Sequence, residues 1–328
     1  MNKSITKEIL EEHFRYFSFS LYHLKEKYIP LIFKSDEPIP EHVAYVCPIC
    51  ATNFILMRND TVYSNTDFSL DHFPPESVGG SLKILTCRKC NNDAGRLFES
   101  ELSEKMNYEA TKNTNPNAHL KTKVKISGLV GNYSAFIKKE TDGKFIIDFP
   151  TKAKQSAPFL QNWLDNKIME NDWEASLTIK RPDDYKILKS VLKTAYLICF
   201  INWGYDFIFS ENGKLIRNVL NGSADYPTKT LSYWIEENSQ GFNQIPKGLC
   251  LIEKPIEMQS YIVNIPLNIA GYSSIASVLI PLSDEEGWSK LRAIETFQEN
   301  NMNIDITFTQ IIAPVANYIF DSYTKNYR

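Results

Sequence analysis

CPIC at residues 47–50, FSLDHFPPESVGG at residues 68–80 and LTCRKCNNDAG at residues 85–95 set the organisation of this chain. Tetrahedral zinc needs four soft or borderline ligands at one point, and two Cys-x-x-Cys knuckles, Cys47/Cys50 and Cys87/Cys90, supply them from two segments. If one ion holds both knuckles, the 36 residues between Cys50 and Cys87 become a closed loop. The pair Asp71-His72 then returns near the start of the segment that follows Cys90.

That proximity suggests chemistry. Asp71 and Asn91 offer hard oxygen donors suited to Mg²⁺ or Mn²⁺, and His72 is left to take a proton from water. Each of the three also has a structural explanation when taken alone: a loop cap, a hydrogen-bonded core histidine and a helix cap.

The run LDHFPPESVGG…LTCRKCNNDAG resembles the zinc-braced branch of the HNH endonucleases, whose ββα-metal finger carries the pattern [DE]H-x-x-P…GG…C-x-x-C-N-x-x-x-G. The resemblance implies that His72 is the general base and that Asp71 and Asn91 ligate the catalytic Mg²⁺ or Mn²⁺. It makes Cys47, Cys50, Cys87 and Cys90 the structural Zn²⁺ ligands and sets Pro74 and Gly80 in the loop between two short strands. Many members brace the histidine loop with an Asn about five residues before the third cysteine; here that place falls at Leu82, beside Ser81. The resemblance covers about sixty residues, too few to fold alone without their metal.

The expected fold class is α+β. A helical lead-in (1–42) precedes the zinc-stapled ββα-metal finger (43–107), and a larger mixed α+β region (108–328) serves nucleic-acid or target recognition. In the lead-in, Ile9, Leu10, Phe14, Phe17 and Leu21 fall on one helical face. His13 and His23 lack partners at ligand spacing and read as surface or interface residues; His42 is superfluous where four cysteines fill the shell. The segment after Asn91 reads as the finger's helix, its positive end favouring a phosphate. Gly95 within it is explained by close approach either to nucleic acid or to a strand.

Nine lysines between residues 112 and 154 face only Glu140, Asp142 and Asp148, so this is the most basic part of the chain. In KTKVKIS the alternation puts Lys121, Lys123 and Lys125 on one strand face. Such a row follows a phosphate backbone or is simply solvated. With Arg88, Lys89 and Arg96 it forms the candidate nucleic-acid contact. Asp142-Gly143 reads as a hairpin turn. Residues 156–172 and 183–203 read as helices, the second with an apolar stripe including Cys199 opposed by Lys186, Lys189 and Lys193. Beyond it, LCLIEK, SYIVNIPLNI, SSIASVLIPL and NIDITFTQI read as strands, and EGWSKLRAIETFQEN and the carboxyl-terminal tail as helices. Trp163, Trp173, Trp203 and Trp234 fill cores or stack on bases.

A net charge of −3 and a pI near 6.0 argue against coating nucleic acid by bulk electrostatics, though a local basic track suffices for a nuclease. The start, MNKSITKEILEEHF, has no secretory apolar core and no tract is long enough to span a membrane, so a reducing cytoplasm is expected. No Walker loop, dinucleotide fingerprint or repeat points to ATP-driven work. The expected function is a metal-dependent endonuclease acting on DNA in preference to RNA. At family level it is similar to bacterial restriction and anti-phage defence nucleases, with a protein partner from such a system. The alternative is a non-catalytic zinc module that binds nucleic acid or serves as an adaptor; Asp71-His72 with Asn91 discriminates, because a binder has no need of them.

Overall fold

The structure, a computed structural model, describes residues 5, 8–13, 17, 44–58, 61–113, 115, 117–140, 142–150, 158–167, 174–228, 232–282, 287, 289–291 and 307–311. It is a mixed α+β protein with several small antiparallel sheets. Strands β1 (Ala44–Val46), β2 (Phe54–Arg58) and β3 (Thr61–Ser64) form an antiparallel meander with Tyr45 opposite Ile55 and Ile55 opposite Ser64. The turn between β1 and β2 is the first cysteine knuckle. Its backbone closes through Cys47 N–H to Asn53 O (2.7 Å) and Ala51 N–H to Cys47 O (2.8 Å).

Strands β4 (Phe68–His72) and β5 (Lys83–Cys87) pair antiparallel, Asp71 opposite Ile84 and His72 opposite Lys83. Phe73 N–H donates to Leu82 O at 3.0 Å and closes the loop that joins them. The Gly-Gly pair in this loop has a steric cause: Gly79 sits at φ 86°, and a Cβ on Gly80 would lie 1.6 Å from the Pro74 carbonyl oxygen. Helix α1 (Arg88–Ala94) starts directly after β5, passes through a π-helical turn over Gly95–Glu99 and continues as α2 (Ser100–Lys112). A Cβ on Gly95 would meet only Glu99 Oε2, at 3.8 Å. Close packing against a strand therefore does not account for this glycine.

By internal contacts the chain forms two compact units, Met1–Ser100 with Asp184–Leu267 and Ser274–Arg328, and Glu101–Asp183 with Asn268–Ser273. The hairpin and helix of residues 68–99 belong to the first unit, together with later parts of the chain. In the other unit, β6 (Leu120–Ile126), β7 (Tyr133–Lys139), β8 (Phe145–Asp148) and β9 (Ala175–Thr178) form an antiparallel sheet in the order β8-β7-β6-β9. Strict alternation along β6 buries Leu120, Thr122, Val124 and Ile126 and exposes the lysines between them. Val124, Ile126, Ala135, Phe149 and Leu160 make the core, the last from helix α3 (Pro158–Lys167), with Trp163 packed against them. Gly143, at φ 85°, makes the expected turn between β7 and β8.

Helix α4 (Asp184–Phe209) is buried nearly all round, as a central core helix must be. It begins where Pro182 and Asp183 suggest and is interrupted at Gly204, whose φ 60° and ψ −145° are not helical. Helix α5 (Glu211–Asn221) follows, N-capped by Ser210, whose Oγ accepts from Gly213 N–H at 3.0 Å, and ended by Gly222 at φ 79°. Strands β10 (Tyr233–Glu236), β11 (Gly248–Lys254), β12 (Tyr261–Ile269), β13 (Tyr272–Ile280) and β14 (Thr307–Gln310) form a five-stranded sheet in the order β10-β13-β12-β11-β14.

Residues 8–13 and 17 are helical, with Ile9, Leu10 and Phe17 buried. The remainder of the expected lead-in helix, including His23, together with His42, Trp173, the carboxyl-terminal tail and most of the helix expected at EGWSKLRAIETFQEN, lies outside the described residues. Among the described residues no helix is long and apolar enough to cross a membrane.

Candidate functional site

The two knuckles meet. The Sγ atoms of Cys47, Cys50, Cys87 and Cys90 all lie within 4.8 Å of one another. Zinc–sulfur bonds of about 2.3 Å set tetrahedral sulfurs about 3.8 Å apart, so one structural ion such as zinc fits with a small inward adjustment. The backbone already points at the sulfurs: Cys87 N–H donates to Cys47 Sγ (3.3 Å) and Asn53 N–H to Cys50 Sγ (3.5 Å). Crowding splits the thiols. Hydrogen bonding from Cys47 brings Cys87 down to about 6, while burial pushes Cys47 up. A divalent cation would resolve that conflict by deprotonating all four.

Helix α4 seats the first knuckle. Tyr205 Oη accepts from Val46 N–H and donates to Val46 O, both at 2.7 Å, and Tyr196 Oη donates to Pro48 O at 2.8 Å. Tyr45 Oη donates to Leu85 O at 2.6 Å, tying β1 to β5. His13 belongs to this framework. It is buried, its Nδ1 donates to Ile9 O (2.7 Å) and its Nε2 accepts from Leu85 N–H (3.2 Å), so of the surface or interface role expected from sequence the surface half gives way to a buried contact between the lead-in and β5. Burial lowers its pKa to about 4, against the opposing effect of the Ile9 bond.

Asp71 and His72 are successive residues of β4, and Asn91 docks on the same strand. Alternation places Ser69 and Asp71 on one face of the ribbon and Leu70 and His72 on the other. Asn91, in the first turn of α1, docks on this strand: its Nδ2 donates to Ser69 Oγ (3.0 Å) and Leu70 O (3.1 Å). Asp71 is 1% exposed. Its Oδ2 accepts from Thr86 Oγ1 (3.1 Å) and its Oδ1 from Lys193 Nζ (2.9 Å), whose ammonium also lies 2.8 Å from Oδ2. Lys193 Nζ also donates to Glu99 Oε1 at 2.6 Å. Burial alone would discharge this ammonium, but Asp71 and Glu99 outweigh it and hold the lysine above its ordinary pKa. Glu99 is pushed up by burial.

His72 keeps 24% of its side chain exposed, with Nε2 4.0 Å from Glu76 Oε2. Burial, then the charge of Lys83 across the ladder, lowers its pKa, against weaker raising by Glu76 and Asp71. It is therefore neutral at pH 7 and able to accept a proton.

The candidate nucleic-acid contacts divide. Arg88 pairs with Asp67 (3.4 Å), and Lys89 and Arg96 share Asp93 (2.5 and 3.2 Å). Lys121, Lys123 and Lys125 are exposed and meet no carboxylate among the described residues; they lie in the unit that begins at Glu101. Cys199 is buried in α4, as expected.

Sequence reasoning missed Lys193, Glu99, Thr86 and Glu76. Lys193 was expected on the polar side of its helix with Lys186 and Lys189, yet it is 1% exposed. The apolar run VLKTAYLICF around it was the available signal, because a lysine inside such a run needs a buried anion. No protein-family model, no curated protein and no solved structure matches this chain.

Proposed function

We propose that the chain is a metal-dependent endonuclease of the HNH type that hydrolyses phosphodiester bonds in DNA. The observation that carries this reading is the position of His72: neutral and half-buried, at the end of a β-strand whose neighbouring residue is a carboxylate and onto which the amide of Asn91 is docked. The four-cysteine cluster supports it by stapling the hairpin and the helix that hold these groups. Asp71 and Asn91 are hard-oxygen donors of the type Mg²⁺ or Mn²⁺ takes, although Asp71 already carries an ammonium partner. A divalent ion held by Asp71 and Asn91 would act as a Lewis acid, offsetting the negative charge that develops during phosphodiester hydrolysis.

The protein's own part is proton transfer. His72 takes the proton of the attacking water at Nε2, and Glu76, 4.0 Å away, stabilises the imidazolium that results. Lys121, Lys123 and Lys125 supply phosphate contacts elsewhere on the duplex. This reading sets the protein in a reducing cytoplasm, where zinc-binding cysteines stay reduced, with restriction or anti-phage defence as its role.

A second reading has its own support. Asp71 buried against Lys193 is also what a purely structural ion pair looks like, and favours a non-catalytic zinc module. Incubation of the zinc-loaded protein with Mg²⁺ or Mn²⁺ and plasmid, single-stranded, methylated and RNA substrates separates the two. Cleavage that disappears in His72→Ala establishes the enzyme; DNA binding without cleavage on any substrate establishes the module.

A further inference from the structure

Lys193 Nζ donates to Asp71 Oδ1 (2.9 Å) and to Glu99 Oε1 (2.6 Å), and it stands 2.8 Å from Asp71 Oδ2 in the same ion pair. The lysine side chain is 2% exposed and that of Glu99 12%. With its donors so committed and its surface covered, Lys193 does not reach a substrate. Its role lies in what it does to Asp71. Oδ1 of that carboxylate accepts from Lys193 and Oδ2, also within ion-pair reach of the ammonium, accepts from Thr86 Oγ1 at 3.1 Å.

One ammonium is shared between two carboxylate side chains in this buried cluster. The carboxylates attract further positive charge, yet the ammonium already present repels any cation that approaches Asp71. We propose that Lys193 is a tethered cation that positions the Asp71 carboxylate and competes with the divalent ion for it, thereby setting the metal affinity of the site. This rests on the nuclease reading of Asp71 as a metal ligand and goes beyond it, because it makes metal loading a property of α4. Divalent ion entry requires Lys193 either to share Asp71 or to withdraw onto Glu99, whose Oε1 it already contacts.

The test is Mn²⁺ binding by the full zinc-loaded chain, read from loss of the free-ion electron paramagnetic resonance signal. Lys193→Met alone leaves two buried carboxylates unpaired and risks the fold. The Lys193→Met/Glu99→Gln double variant removes the ammonium together with one of the two carboxyl groups it bridges, and retained zinc content and circular dichroism verify its fold. The expected result is Mn²⁺ binding at least tenfold tighter in the double variant than in wild type, lost in Asp71→Asn, and unchanged in Lys193→Arg, which keeps the competing charge. Equal affinity in wild type and double variant overturns the competition. If wild type nonetheless cleaves DNA and Asp71→Asn does not, the nuclease reading stands and only the role of Lys193 fails. If no form binds Mn²⁺ through Asp71, both fail.

Discussion

The hydroxyl of Tyr205 satisfies both main-chain polar groups of Val46, accepting from its N–H and donating to its carbonyl at 2.7 Å each. Val46 immediately precedes Cys47, so a side chain 159 residues away fixes the entry to the first knuckle. Tyr205→Phe leaves a buried donor and a buried acceptor unpaired, at about 1–3 kcal/mol for each group left unsatisfied. The expected outcome is a protein that folds with a lower urea midpoint and releases zinc to a chromogenic chelator faster than wild type.

The two glycines flanking the cysteine of β5 behave oppositely. Gly80→Ala drives a Cβ into the Pro74 carbonyl at 1.6 Å and costs about 3 kcal/mol or more. Gly95→Ala, with only a flexible carboxylate 3.8 Å away, gains helix propensity and is neutral or stabilising by up to about 1 kcal/mol. Thermal melts of the two variants side by side measure the difference.

His13 makes the fold sensitive to mild acid. Its pKa is about 4 in the folded state against 6.5 as a reference, so between those values the unfolded chain binds a proton that the folded chain refuses. Stability is complete above pH 6.5 and declines as pH falls toward 4, by about 3 kcal/mol in total. Glutamine hydrogen-bonds without titrating, so His13→Gln flattens this part of the profile. Urea midpoints at pH 7 and pH 5 check it, the cysteines contributing equally to both proteins.

Zinc and catalysis separate by mutation. Cys87→Ala breaks the four-sulfur cluster, abolishes stoichiometric zinc and unfolds the hairpin, and a strong chelator does the same to wild type. His72→Ala keeps its zinc and its melting profile and loses cleavage by about 10²–10⁴-fold. Because burial and Lys83 depress the His72 pKa, wild-type cleavage declines only below the ordinary histidine value near 6.5 as pH is lowered. A pH–rate profile whose acid limb lies above 6.5 contradicts this.

The exposed lysine row is separable from stability. Replacing Lys121, Lys123 and Lys125 with Gln shifts stability by no more than about 0.5 kcal/mol per site. If the row contacts phosphates, DNA affinity falls and the slope of log K against log salt becomes shallower by about 3. An unchanged slope assigns the row to solvent alone.

What could be read from the chain beforehand was whatever local rules govern. Knuckle spacing foretold the clustering of four sulfurs, because ligand geometry constrains short segments. Alternation foretold the two faces of β6, because a strand repeats every second residue. The turn at Gly143 was visible for the same kind of reason. Lys193 and His13 escaped because their partners, Asp71 and Leu85, lie far away in sequence and polarity alone assigned them to water. Gly95 escaped differently: a glycine invites an explanation by crowding, and its surroundings are open.

Gly204 has a consequence for the angular phase of α4. At about 100° per residue, side chains nine positions apart stand on opposite sides of an unbroken helix. Tyr196 and Tyr205 are nine apart, yet both grip the same short loop, at Pro48 and Val46. The turn at Gly204, in a region of backbone space open essentially to glycine alone, rotates the last stretch of the helix back into line. A side chain at residue 204 that restored the helical winding would leave one tyrosine gripping and swing the other away. The knuckle's clasp thus depends on one backbone turn in the helix that carries both tyrosines.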